Sequence, residues 1–172
     1  MRRLRYSVAM SLDAFIAGPN GEYDWIVTDP AIDFAALFDQ FDTFLMGRKT
    51  FELTQSPGNP ALGGRVVVVS NTLRPADHPG VTILGSDGLK EAVAALKAEP
   101  GKDIWLFGGG QLFRSLLDAG LVDTVEVGVM PVLLGQGIPL LPPGQRSPVL
   151  RLNSSKALPS GIVMLEYSVP ET

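Results

Sequence analysis

Ile104-Trp105-Leu106-Phe107-Gly108-Gly109-Gly110-Gln111-Leu112-Phe113-Arg114-Ser115-Leu116-Leu117 is the stretch on which the reading of the chain turns. Its first four residues form an apolar run suited to a strand buried on both faces. A helix-like stretch begins at Gln111. Three glycines at such a junction let the backbone approach a ligand closely and leave the first N–H groups of the helix unpaired. An anionic group is the natural occupant of such a place. The spacing is not G-x-G-x-x-G, and a glycine cluster alone fits a tight turn equally well. A second junction of the same kind, Met46-Gly47-Arg48-Lys49-Thr50-Phe51, adds weight to the ligand reading.

Outward from these junctions, strand-like and helix-like runs alternate, as expected for helices covering a largely parallel sheet. Leu4 to Met10, Thr43 to Met46, Arg65 to Val69, Val81 to Leu84 and Thr124 to Met130 read as strands. The four consecutive valines before Ser70 are typical of a strand covered on both sides. Asp29-Pro30 reads as a helix start, with Asp29 as cap, and Phe34, Leu37, Phe38 and Phe41 then share one face directed at the core. A helix from about Leu89 to Lys97 is capped by Ser86 or Asp87, and the helix after the triple glycine stops at Gly120. Val149 to Leu152 and Ile162 to Val169 suit an antiparallel pair closing the sheet. One α/β domain spanning residues 1–172 is expected. Ligands of open sheets sit beyond the carboxyl ends of the strands, which selects the turns at Gly47, at Ser70-Asn71 and at Gly108 to Gly110.

Composition narrows the function. The chain has 172 residues, 45% of them hydrophobic and 19% charged, enough for one core without a staple. It has no cysteine, which excludes disulfides and thiol chemistry, and one histidine, His78, in a turn-like stretch that reads as surface loop. No metal site is expected. A net charge of -4 without a Lys/Arg-rich run argues against nucleic acid as a partner. The basic Met1 to Arg5 is followed by a stretch too short and interrupted for a signal peptide, and no long apolar segment exists. A cytoplasmic protein that does not engage a membrane is expected. The apolar Val125 to Leu141 region, with few charges, points to a homodimer.

Several stretches together resemble the dihydrofolate reductase-like superfamily, and within it the branch containing the reductase domain of the bifunctional riboflavin-biosynthesis protein. These are Ser11-Leu12-Asp13-Ala14-Phe15-Ile16-Ala17-Gly18, Met46-Gly47-Arg48-Lys49-Thr50, Val69-Ser70-Asn71, Phe107-Gly108-Gly109-Gly110 and Met130-Pro131-Val132-Leu133-Leu134-Gly135-Gln136-Gly137. The resemblance implies a three-layer αβα sandwich with a mostly parallel sheet and a C-terminal antiparallel hairpin. It implies hydride transfer from NADPH. Arg48 and Thr50, flanked by Gly47 and Lys49, would hold the pyrophosphate. Ser70 and Asn71, with Arg74 nearby, would meet the adenosine ribose and its 2′-phosphate. Gly108, Gly109, Gly110 and Gln111 would lie along the diphosphate and nicotinamide ribose.

Reduction of C=N or of a sugar carbonyl also needs a proton, supplied directly or through water. Asp33, near the start of the helix after Asp29-Pro30, and Asp13, in the opening motif, are the two candidates. As plain residues they read as a helix-terminus acid and a loop acid. Glu126 reads as an acid on a solvated sheet edge. Trp25 and Phe15, as pocket lining, suit a flat heteroaromatic substrate, and as plain residues they read as core.

The named activity implied by the resemblance is 5-amino-6-(5-phosphoribosylamino)uracil reductase, with dihydrofolate reductase and a non-catalytic nucleotide-binding protein as alternatives. Two departures stand out. After Ser11-Leu12-Asp13 the branch commonly has glycine and a basic residue that serves the substrate phosphate, whereas this chain has Ala14 and Phe15. The zinc deaminase motif is missing, which leaves a stand-alone reductase as the expectation. Pocket shape falls to the loops Gly18 to Val27 and Gln55 to Gly63.

Overall fold

A computed structural model of the chain describes all residues except positions 58, 60, 171 and 172, so part of the loop Gln55 to Gly63 lies outside the described residues. In chain order the elements are β1 (Leu4–Ser11), β2 (Phe15–Ala17), α1 (Phe34–Phe38), β3 (Phe41–Gly47), α2 (Arg48–Thr54), β4 (Arg65–Val69) and β5 (Val81–Leu84). There follow α3 (Leu89–Ala98), β6 (Asp103–Gly108), α4 (Gly110–Asp118), β7 (Thr124–Met130), β8 (Ile138–Pro139), β9 (Arg151–Ala157) and β10 (Val163–Ser168). Eight strands make one sheet in the order β5-β4-β3-β6-β1-β7-β10-β9. It is parallel from β5 to β7, and β10 and β9 close it antiparallel.

Side chains alternate across each strand, so neighbouring residues feed different layers. Leu4 and Tyr6 of β1, Leu45 of β3, Val67 of β4, Ile104 and Leu106 of β6 and Val125 and Val127 of β7 face one way, against Val93 and Leu96 of α3 and Leu112, Phe113 and Leu116 of α4. Phe44, Met46, Val68 and Trp105 face the other way, under Leu37 and Phe38 of α1 and Phe51 of α2. The result is the helix–sheet–helix sandwich. Trp105 is the centre of the second layer, with the rings of Phe38, Phe41 and Phe107 at 4.9, 4.8 and 5.1 Å. Tyr6 stacks on Phe113 at 3.9 Å, and burial pushes its phenol well above the ordinary range.

The helix reading from Asp29 gives way in the structure to a shorter helix. Asp29 caps a turn, accepting from the Ala31 N–H at 2.8 Å, and its other oxygen accepts from the Ser160 N–H at 3.0 Å. Buried and bonded to a distant loop, it is unavailable to α1, which starts at Phe34 with Asp33 as its cap. Phe41 consequently falls in β3, and Phe34 is 52% exposed rather than core. Neither Ser86 nor Asp87 caps α3; its N-cap is Gly88 at φ +71°, without a side-chain bond. Gly120, at φ +70°, does follow the end of α4 as expected.

Glu126 is not on a solvated edge. Strand β7 lies between β1 and β10, and Glu126 receives Arg5 Nε at 2.7 Å and Nη2 at 2.9 Å in a largely buried fork. Nor does the apolar content of Val125 to Leu141 form a free surface in its strand portion: Val125, Val127 and Met130 are buried within this chain's own core. The antiparallel pair β2 and β8 escaped the sequence reading, being only three and two residues long. His78 is half-buried, with its ring edge-on to Phe51 at 5.3 Å. Among the described residues no helix is long and apolar enough to cross a membrane, and no group of acidic and histidine side chains is placed to hold a metal ion.

Candidate cofactor and substrate site

Strands β3 and β6 are neighbours, with Met46 opposite Gly108, so the two glycine turns emerge side by side at the carboxyl edge of the sheet. Gly47 and Gly109 are the N-caps of α2 and α4, and neither helix has a side-chain capping bond. The first N–H groups of α4, a helix of nine residues, therefore have no side-chain cap, the condition under which a helix N-terminus receives an anion. Gly108 sits at φ +146°, and the Gly108–Gly109 peptide is cis.

Gly108 and Gly110 are required by their surroundings. A Cβ on Gly108 would stand 3.1 Å from Thr50 Oγ1, and one on Gly110 would stand 3.0 Å from the Pro139 carbonyl and 3.2 Å from Pro142 Cδ. Thr50 thus meets the glycine turn from α2, and the β2–β8 pair closes on it from the other side. Gln111 is exposed in the first turn of α4.

The next strands extend the edge. The Ser70 N–H donates to the Leu84 carbonyl at 2.9 Å, and Ser70 Oγ accepts from the Thr72 and Leu73 N–H groups, both at 3.1 Å. Asn71 clasps Ser86 on both sides, accepting from its N–H at 2.8 Å and donating to its hydroxyl at 2.6 Å. Arg48 reaches across to this group, with Nη1 donating to Thr72 Oγ1 at 2.9 Å, while its Nε donates to Glu52 at 2.6 Å. Lys49 is exposed beside it. Arg74 points instead to Asp77 at 3.5 Å and is 83% exposed. Sequence reasoning missed Glu52, Thr72 and Ser86. The i,i+4 spacing of Arg48 and Glu52 was a usable signal, whereas the other contacts depend on strand order.

Of the two acids, Asp13 is fully engaged. It accepts from Ser11 Oγ at 2.6 Å and from the N–H groups of Leu134 and Gly135 at 3.0 and 2.7 Å. The Ser11 hydroxyl and these backbone donors hold its carboxyl down at about 2. These bonds tie the end of β1 to the loop after β7. Ala14 follows it at φ +68°. Asp33 is exposed; its Oδ1 accepts from the Ala36 N–H at 2.9 Å, and its other oxygen has no partner among the described residues.

Phe15 and Trp25 lie on different supports. Phe15 is half-buried on β2, opposite Pro139, with its N–H donated to Ser11 Oγ at 2.9 Å. Trp25 packs on the cluster of Met130, Leu158 and Ile162, and its indole N–H donates to the Glu22 carbonyl at 3.0 Å.

A parallel sheet with helices on both faces, two glycine-led turns side by side and a polar shelf at the next strand ends define a dihydrofolate reductase-like α/β protein. The chain belongs to the RibD C-terminal domain family, whose model matches residues 2–164. It is 35% identical over 179 residues to the uncharacterized protein YyaP of Bacillus subtilis (strain 168), covering 96% of this chain and 94% of YyaP. It is 28% identical over 152 residues to the riboflavin biosynthesis protein RibD of Corynebacterium ammoniagenes, covering 77% of this chain but 44% of that protein. A solved structure from Shewanella sp. PV-4, provisionally assigned to riboflavin biosynthesis, superposes with a TM-score of 0.84 at 25% identity, covering 99% of each chain.

Proposed function

We propose that this chain is an NADPH-dependent reductase acting on a pteridine- or pyrimidine-like substrate, of the kind that 5-amino-6-(5-phosphoribosylamino)uracil reductase uses. The observation that carries the reading is the Thr50–Gly108–Gly110 cradle, in which side chains are excluded at the turn between β6 and α4, at the carboxyl edge of a parallel sheet beside the turn at Gly47. The donor set suits a dinucleotide. Uncapped N–H groups of α4 and the Thr50 hydroxyl face the place for a diphosphate, and Arg48, Ser70, Asn71 and Thr72 form a shelf of the polarity a ribose requires.

When bound, the dihydronicotinamide supplies the hydride. The residues of this chain orient it and the substrate. Glycine at Gly108 to Gly110 keeps the edge open for close approach, and Phe15 and Trp25 supply flat apolar surface for a heteroaromatic ring. Phe15 offers no charge to a phosphate, which favours a substrate unphosphorylated at that rim. Asp33, whose second oxygen has no partner among the described residues, is the acid left to hold a water that brings the proton to the substrate, since both oxygens of Asp13 are occupied by Ser11, Leu134 and Gly135. The protein is a homodimer in this reading. The surface left for pairing is the β9–β10 edge, where every residue of β9 is exposed and Leu152 and Val149 are uncovered.

Titration with NADPH and NADH, followed by tryptophan fluorescence and calorimetry, tests the reading. Trp105 touches Phe107, the residue before Gly108, and so reports on the turn. Binding, followed by turnover of a pyrimidine or pteridine, supports the proposal. Binding of neither nucleotide overturns it. Light scattering at the mass of one chain overturns the dimer.

A further inference from the structure

Two guanidinium groups stand near the carboxyl ends of β3 and β4, and each already faces a carboxylate of this chain. Arg74 lies 3.5 Å from Asp77. Arg48 is held more firmly: Nε donates to Glu52 Oε1 at 2.6 Å from one turn along α2, and Nη1 donates to Thr72 Oγ1 at 2.9 Å. Thr72 Oγ1 is in turn 3.3 Å from Ser70 Oγ. A guanidinium receives an anion best through a pair of parallel N–H groups, and on the Nε/Nη2 edge of Arg48 the Nε–H is already given to Glu52. The pair carries no net charge, so Arg48 presents an incoming anion with half of its fork and little field.

We infer that Glu52 sets the cofactor preference of this protein, competing with the 2′-phosphate of NADPH for Arg48 and thereby keeping discrimination against NADH small. The inference rests on the reading of this edge as a dinucleotide site. The bond to Thr72, itself beside Ser70, places Arg48 at the shelf read as the ribose site rather than at the pyrophosphate expected from the sequence. A 2′-phosphate on that ribose must therefore displace Glu52 or lie next to its negative charge. The 2′-hydroxyl of NADH meets neither obstacle. Glu52 therefore acts on one dinucleotide and not on the other, and it is a positioning residue because it touches Arg48 rather than the cofactor. Side chains of Arg48 and Glu52 are each 50% exposed, so the competition is screened by solvent and is modest.

The test measures dissociation constants of the full chain and its Glu52→Gln variant for NADPH and NADH, with adenosine 2′,5′-bisphosphate and AMP as fragments that isolate the phosphate. NADPH binding is expected to tighten about two- to fivefold, the range set by one exposed ion pair. NADH should change less, so that the preference ratio rises, and the gain should shrink at high salt. On an Arg48→Ala background, Glu52→Gln should leave the ratio where Arg48→Ala alone puts it. An unchanged or falling ratio, in a wild-type protein that binds both dinucleotides, overturns the inference and leaves the site intact. A wild-type protein that binds neither removes both together.

Discussion

Thr50 of helix α2 and Gly108 at the end of strand β6, far apart in sequence, face each other so closely that a single methyl group on Gly108 would stand 3.1 Å from the Thr50 hydroxyl oxygen. The contact joins the two glycine turns into one surface and gives the first prediction. Gly108→Ala combines that crowding with a φ of +146°, a region L-residues rarely adopt, at a cost of about 1–3 kcal/mol. Gly109→Ala, at φ -105° with an ordinary 3.6 Å contact to Thr50, should fold nearly as well as wild type. Thermal melts should separate the two variants. On the proposed cofactor reading both should lose at least about tenfold in nucleotide affinity, since a side chain at either position crowds Thr50 on the surface proposed for the diphosphate.

Asp13 provides a pH signature. Its carboxyl lies at about 2 in the folded chain, against an unfolded value of about 3.9. A depressed value contributes stability that is fully present above the unfolded value and is lost as pH falls toward the folded one. Asp13→Asn should lower the melting temperature at pH 7, and the gap to wild type should narrow between about pH 4 and pH 2. The pH–rate profile of the variant should keep the alkaline limb of wild type, which a lost general acid would not allow.

Ala14 holds φ +68°, which costs a non-glycine residue about 1–2 kcal/mol. Glycine removes that cost while gaining freedom in the unfolded chain, so Ala14→Gly should stabilise by a net of about 0.5–1 kcal/mol. That corresponds to a rise of roughly 1–4 °C in melting temperature for a chain of this size.

Arg5 and Glu126 form a fork in which both side chains are largely buried, and Arg5 also lies over the Phe41 ring at 4.6 Å. Its guanidinium, desolvated but held by the Glu126 and Asp103 carboxylates, is pushed above its ordinary range. Glu126→Ala leaves that charge with the Asp103 carboxylate at 3.3 Å and the Gln40 side-chain oxygen at 2.8 Å, and should cost about 3 kcal/mol in urea denaturation. A surface acid, which is how Glu126 reads in the sequence, would cost less than about 0.5 kcal/mol.

Most of the order of strands and helices was legible because its signals are local. The valine run ending at Val69, the apolar run ending at Phe107, the glycine clusters and the stop at Gly120 each announce an element within a few residues. The short β2 and β8 carried too few residues to show a period. Asp29 misled because its capping chemistry is genuine but serves a turn and Ser160. At the site, Gly47, Thr50, Ser70, Asn71 and the triple glycine were brought to one edge as expected, whereas the acids were not resolved by sequence. Asp13 and Asp33 look equally able to give a proton until their partners are known.

The sequence by itself determined the class of fold and the places where a ligand could approach, because buried strands, helix faces and glycine turns are written in neighbouring residues. Only the tertiary structure decided what the charged groups do. Asp13 meets the backbone of Leu134 and Gly135, Glu126 meets Arg5, and Arg48 meets Thr72. Each pairing depends on which strands lie side by side, and strand order is fixed by the packing of the whole sheet rather than by any local run of residues.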